Sequence, residues 1–435
     1  MEGRNLRMTN KSGAGQVDGS VNERDRETLR TLAGQIAEIA SLVVHKQKAV
    51  LWEKLNDLRS VRPMVWINEI PWQEMNYEEE LTLRCTDPWA RDQERRLQRI
   101  LYQWRHMPAD MVVSDYLSSP LTINNTGYGI KEDVDVVRTD ETSSVVSRHF
   151  RRQIVEPQDI EKIKMPVITH DEQASEANYQ KMCSLYEGII PVRKEGVKHV
   201  WYTPWDELIR WWGVQEALMD LLLRPDMVRA AVSRCAESMN CGLDQMEKLN
   251  LLSFGADNTR IGSGGYGYTS QLPAENFDPV HIRPIDNWGC SNAQIFSEVS
   301  PEMHWEFALK YDIPWLERWG MNYYGCCEHL HHKMGILKRI PRLRKISMSS
   351  WIDVDKAVQA VGSNYVFSYK PRPSIFAEDK WRPEQARKEL REVWEKVRPC
   401  HLEVIMKDIS TVRYQPQRLW EWQQIAMELV EDFGG

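Results

Sequence analysis

Met321-Asn-Tyr-Tyr-Gly-Cys-Cys-Glu-His-Leu-His-His-Lys333 is the stretch that decides how the chain is read. Tyr323 and Tyr324 are good strand formers, and Gly325 permits close backbone approach where the strand ends. Two thiols, a carboxylate and three imidazoles then fall within residues 326–332. A buried strand followed at once by chemistry-bearing side chains is the order found at the C-terminal rim of a barrel enzyme. Thiolate with imidazole suits Zn²⁺ or another borderline-soft ion. Cys326, Cys327 and His331 are therefore candidate metal ligands, and Glu328 a candidate proton-transfer group. In extended backbone the two cysteines face opposite ways, so a shared site demands a bend. The plainer alternative is a buried strand end with a solvated helix start.

Outward from this stretch, strand and helix patterns alternate. Downstream, strands are expected at 345–349, 365–369 and 401–406, with helices at 355–361, 383–397 and 416–430 between and after them. Upstream, residues 63–68, 111–116, 198–203 and 251–255 read as strands. About eight strands joined by helices predict an α/β fold, a TIM (β/α)8 barrel, spanning 61–435. Leu29, Leu32, Ile36, Ile39, Val43, Leu51, Leu55 and Leu58 have helical spacing, so 21–60 read as N-terminal helices packed on the barrel. Residues 1–20 read as a disordered tail, and about 130–155 as an insertion carrying a hairpin. Gly262-Ser-Gly-Gly-Tyr-Gly267 matches G-x-G-x-x-G in form. Tyr268, Thr269 and Pro273 follow where a dinucleotide-binding helix must start, so a flexible active-site loop is expected instead. Residues 287–294 read as a second such loop.

A barrel brings the ends of distant strands to one mouth. Lys370, Lys407 and Asp408 follow predicted strands and join Glu328 as catalytic candidates. Trp66, Trp288, Gln294 and Trp351 are placed near strand ends as substrate-binding candidates, with core packing the alternative for each tryptophan. The net charge of −7 argues against a nucleic-acid surface. No apolar run long enough to span a membrane and no signal-like segment is read, so a cytoplasmic protein is expected. Eight cysteines in 435 residues make no disulfide framework, and reduced thiols are expected.

Several motifs, in order, carry a resemblance: Asn287-Trp-Gly-Cys-Ser-Asn-Ala-Gln294, Val299-Ser-Pro-Glu-Met303, Tyr324-Gly-Cys-Cys-Glu328, Leu343-Arg-Lys-Ile-Ser347, Tyr369-Lys-Pro371 and Lys407-Asp408-Ile-Ser-Thr411. From about residue 204 onward the chain resembles the uroporphyrinogen-decarboxylase-like superfamily, in the branch related to corrinoid-dependent methyltransferases. The resemblance implies a TIM barrel. The first strand, Arg62-Pro-Met-Val-Trp-Ile-Asn68, lacks the arginine signature of the porphyrinogen decarboxylases. The branch's His-x-Cys would fall on Tyr324-Gly325-Cys326, where the thiol is kept. What the resemblance implies is methyl transfer between a small methylated substrate and a corrinoid (cobamide) protein, assisted by zinc, with a homodimer as a further expectation. The rival readings are a decarboxylase or lyase, with Lys370 and Lys407 holding carboxylates, and a non-catalytic corrinoid-binding protein.

Overall fold

The computed structural model describes residues 21–137 and 147–434. The expected tail at 1–20 and the tip of the expected hairpin lie outside them. In chain order the strands are β1 (Met64–Ile67), β2 (Leu117–Pro120), β3 (Ile123–Asn125), β4 (Val134–Val137), β5 (Ser147–Phe150), β6 (Ile168–His170) and β7 (Val192–Glu195). They continue with β8 (Trp288–Ser291), β9 (Met321–Tyr324), β10 (Leu343–Met348), β11 (Val366–Tyr369) and β12 (His401–Met406).

The fold is α/β, organised on a six-stranded sheet in the order β1-β12-β11-β10-β9-β8. Every neighbouring pair is parallel. Parallel neighbours need crossovers, and the helices Val354–Val361 and Pro383–Val397 supply two of them. Strands β8, β9 and β11 are buried along their whole length, as expected of a sheet covered on both faces. Beyond its edges the pairing is irregular. Asp110 N donates to Val65 O at 2.9 Å beside β1. Strand β2 runs parallel to β7, and Val197 makes an isolated bridge to Leu252. Beside β8, the Asn287 side chain accepts from Gly255 N at 2.8 Å and donates to Ser253 O at 3.0 Å.

Several expectations change. Residues 111–116 carry no ladder, and the strand begins at Leu117. Residues 198–203 and 251–255 are not strands; the lone Val197–Leu252 bridge and side-chain hydrogen bonds of Lys198, His199 and Asn287 tie these segments instead. The expected loop at 287–294 contains β8. Strands β4 and β5 pair antiparallel where a hairpin was expected. The N-terminal helices are α1 (Glu23–Ala40) and α2 (Val43–Asn56). None of the described helices is long and apolar enough to cross a membrane.

The largest change concerns the glycine-rich segment. It is not a flexible loop: residues 261–267 are all buried. They lie on the sheet face that carries Tyr323, Lys345, Ser368 and Glu403, and α2 closes over them. A Cβ on Gly264 would stand 2.5 Å from Glu403 Oε1, and one on Gly265 would stand 2.5 Å from the Trp52 ring. Only hydrogen side chains allow that approach. Lys345 Nζ sits 2.9 Å from Glu403 Oε2, with both side chains fully buried. Lys345 also donates to Tyr266 O at 3.1 Å, and Gly265 N donates to Glu403 Oε1 at 3.2 Å. Ser368 Oγ donates to the same oxygen at 2.5 Å. The buried ion pair therefore clamps the glycine segment, with each charge held by further hydrogen bonds.

Candidate active site

The turn after β9 is built by Gly325 and Glu328. Gly325 has φ +99, and a Cβ there would stand 2.4 Å from Leu330 Cδ1. The strand therefore ends abruptly. Glu328 accepts from Cys326 N at 2.5 Å and from Ala293 N at 2.7 Å, tying this turn to the segment after β8. Ser347 Oγ, on β10, donates to Cys326 O at 2.6 Å. The bend that the sequence demanded is present, and the Cys326 and Cys327 sulfurs stand 3.7 Å apart. Glu328 is fully buried, and burial raises its pKa. It shapes the turn from behind.

The ends of β12 and β1 supply the facing groups. Lys407 Nζ lies 2.6 Å from Asp408 Oδ2 and donates to Cys326 Sγ at 3.5 Å. Glu69 Oε2 is 3.9 Å from Lys407 and accepts from Asp408 N at 3.2 Å. Arg260 Nη2 donates to Glu69 Oε1 at 2.9 Å. Glu69 and Asp408 both have left-handed backbone, with φ 53 and 56. That conformation costs roughly 1–2 kcal/mol in a residue with a side chain, and such strain gathers at functional sites. These groups border a cavity of about 230 Å³, whose lining also includes His199, Trp201, Thr259 and Gly262.

The electrostatics follow from these contacts. The hydrogen bond from Cys327, opposed by burial and aided by the Lys407 ammonium, holds the Cys326 thiol below the ordinary thiol range. The same bond pushes Cys327 up. Burial works against the charge of Lys407, but Cys326, Asp408 and Glu69 outweigh it and raise the ammonium's pKa. Burial likewise opposes ionised Glu69, and Lys407 and Arg260 outweigh it, so its carboxyl stays well below the usual range. His199 accepts from Gly262 N at 2.9 Å through Nε2, and its Nδ1 lies 3.1 Å from Trp288 O. That pattern assigns a neutral imidazole, and burial lowers its pKa to about 4.

Of the expected catalytic set, Lys407 and Asp408 meet the two thiols. Lys370 does not line the cavity: it donates to Ser368 O at 2.8 Å and to Tyr323 OH, and burial lowers its pKa to about 7. The expected substrate set does not assemble. Trp288 is fully buried and donates to Gly267 O at 2.8 Å. Gln294 donates to both Asp206 carboxylate oxygens at 3.0 Å. Trp351 is 69% exposed. Trp66 packs at a tilt against Tyr266, ring centres 4.6 Å apart, and lines a different cleft, of about 300 Å³, between α1, Pro88–His106 and residues 111–118.

The expected zinc ligands do not fit together. The charged neighbours of His331 are Asp353, His329 and Lys356, away from the thiols. Among the described residues no group of three or more His, Cys, Asp or Glu is placed to hold a metal ion. Glu69, His199, Trp201 and Arg260 were not singled out as site residues. Glu69 follows the first predicted strand as Lys407 follows the last, and that position was the available signal. His199 and Trp201 sit in a segment read as a strand, and Arg260 precedes the glycine motif without a motif of its own.

No family model matches the chain, and no curated protein matches it. Among solved structures it is similar to a methyltransferase from Methanosarcina mazei, with a TM-score of 0.47 and 8% identity, over 88% of this chain and 98% of that one.

Proposed function

We propose that the chain is a methyltransferase of the uroporphyrinogen-decarboxylase-like superfamily, moving a methyl group between a small methylated substrate and a corrinoid protein. In this reading the six-stranded sheet continues through residues 110–120, 192–197 and 251–255 into a closed barrel, and the thiol-lined cavity is its mouth. The observation that carries the reading is the Cys326 sulfur 3.5 Å from the Lys407 ammonium at the edge of that cavity. A thiolate is a soft nucleophile suited to a methyl carbon. Lys407 and Arg260 bring positive charge and N–H donors to the place where a leaving heteroatom gains negative charge. Asp408, about half exposed, can exchange a proton with that atom. A docked corrinoid protein would supply cobalt chemistry from outside the chain. No step here is routed through zinc, because the ligands expected for it do not converge.

The decarboxylase reading keeps one of its two expected anchors: Lys407 lines the cavity, and Lys370 is turned towards Tyr323 and Ser368, outside that lining. The two left-handed residues and the activated thiol favour an enzyme over a carrier. The test is a panel of small O-, N- and S-methylated donors with the chain and free cob(I)alamin. Methylcobalamin absorbance is expected with at least one donor; Cys326→Ser should abolish it, and Lys407→Met should slow its appearance about a hundredfold or more. Its absence across the panel overturns the reading, and carbon dioxide release from carboxylated analogues would install the decarboxylase in its place.

A further inference from the structure

Cys327 touches no reacting group in the reaction just described, although its hydrogen bond tunes Cys326, and its position has a second chemical consequence. Successive residues in a strand point apart, but the turn forced by Gly325 and Glu328 puts both sulfurs on one side, 3.7 Å from each other. The two thiols have different surroundings. Cys326 is 2% exposed, lines the cavity and lies 3.5 Å from Lys407 Nζ. Cys327 is exposed, and its sulfur lies 3.7 Å from Asp408 Oδ2. One sulfur thus stands beside a cation, as a reactive thiolate does, and the other stands next to it at the surface, as a resolving thiol does.

We infer that Cys326 and Cys327 form a peroxide-reactive dithiol that closes reversibly into a disulfide. The Cys326 sulfur attacks one oxygen of hydrogen peroxide, the O–O bond breaks, and hydroxide leaves, taking up a proton to become water. Cys326 is then a sulfenic acid. The Cys327 sulfur attacks it, the S–O bond breaks, and the oxygen leaves as a second water with the thiol proton. Two thiols and one peroxide give one disulfide and two waters, with two electrons passing from sulfur to peroxide. The sulfurs must close to about 2.05 Å within two adjacent residues, and a ring that small is strained and hence readily reduced. Closure removes the thiolate from the cavity, so any chemistry depending on it stops until a reductant acts. The inference concerns the sulfurs alone and does not depend on the methyl-transfer reading.

The experiment treats the reduced 435-residue chain with hydrogen peroxide and follows each cysteine by peptide mass. The peptide holding both cysteines should lose two hydrogens before Cys183, Cys241 and Cys400, all half-buried, are modified, and dithiothreitol should restore it. In Cys327→Ser, dimedone should trap Cys326 as its sulfenic acid. In Cys326→Ser, the rapid phase should vanish although Cys327 remains exposed. Lys407→Met should slow the wild-type pair about tenfold. The inference is overturned if the pair reacts no faster than the half-buried cysteines, if Cys327 is oxidised first, or if Cys326 proceeds to sulfinic acid with its neighbour present and no disulfide forms.

Discussion

Two charged clusters gather on the same sheet, and their contrast separates structure from chemistry. Lys345–Glu403 is closed: both side chains are fully buried, and five further polar groups, Tyr266 O, Gly265 N, Ser368, Lys370 and Tyr323, complete the network. Lys407–Cys326–Asp408–Glu69 is open. Its contacts lengthen to 3.5–3.9 Å at sulfur and at Glu69, two of its residues have left-handed backbone, and a cavity adjoins it. The residue types are nearly the same in both. A lysine beside carboxylates therefore says little by itself. Whether every partner is already satisfied, and whether the backbone is relaxed, decides its role.

The strongest way to break the comparison is to exchange the effects of its two lysines. Lys407→Met should lower methyl transfer about a hundredfold or more while the folded state persists. Lys345→Met should leave Glu403 buried without its cation and destabilise the protein by about 3–5 kcal/mol in denaturant unfolding. If Lys345→Met is tolerated and Lys407→Met unfolds the chain, the assignments are reversed. Gly265→Ala tests the clamp more gently. Its new methyl would meet Trp52, and overpacking of this kind costs about 1–3 kcal/mol.

A group outside both clusters adds a pH test. Asp312 is buried, accepts from Ser291 Oγ at 2.7 Å, and burial raises its pKa to about 8. Between the unfolded value of 3.8 and about 8, the native state holds a proton that the unfolded state has lost. Wild-type stability therefore falls as pH rises through that window. Asp312→Asn should flatten the dependence and gain on the wild type towards about pH 8, read by thermal unfolding across pH. A parallel dependence in the two proteins would remove Asp312 as the cause.

Hydrophobic strands followed by polar residues were legible in the sequence because the rule is local. β1, β9, β10, β11 and β12 all fall where that pattern places them. So does the joint appearance of Cys326, Cys327, Lys407 and Asp408 around one point. What was not legible depended on partners far away in the chain. Trp-Gly-Cys-Ser at β8 looks like a loop, and only pairing with β9 makes it a strand. The glycine segment looks flexible until Trp52, Tyr323 and Glu403 close on it. Trp288, expected near a strand end as a substrate wall, packs inside the protein instead. Cys327 shows the other limit: alternation in a strand predicts opposed thiols, and one glycine with φ +99 cancels it.

At the centre stands a Cys326 thiol that ionises more readily than a free one. Its rate of alkylation by iodoacetamide, followed by peptide mass across pH in the folded and the urea-unfolded chain, tests this directly. The folded-state profile should rise at a lower pH than the unfolded one, and Lys407→Met should move it back up, since losing the cation disfavours the thiolate. A folded profile at or above the unfolded one would contradict the account.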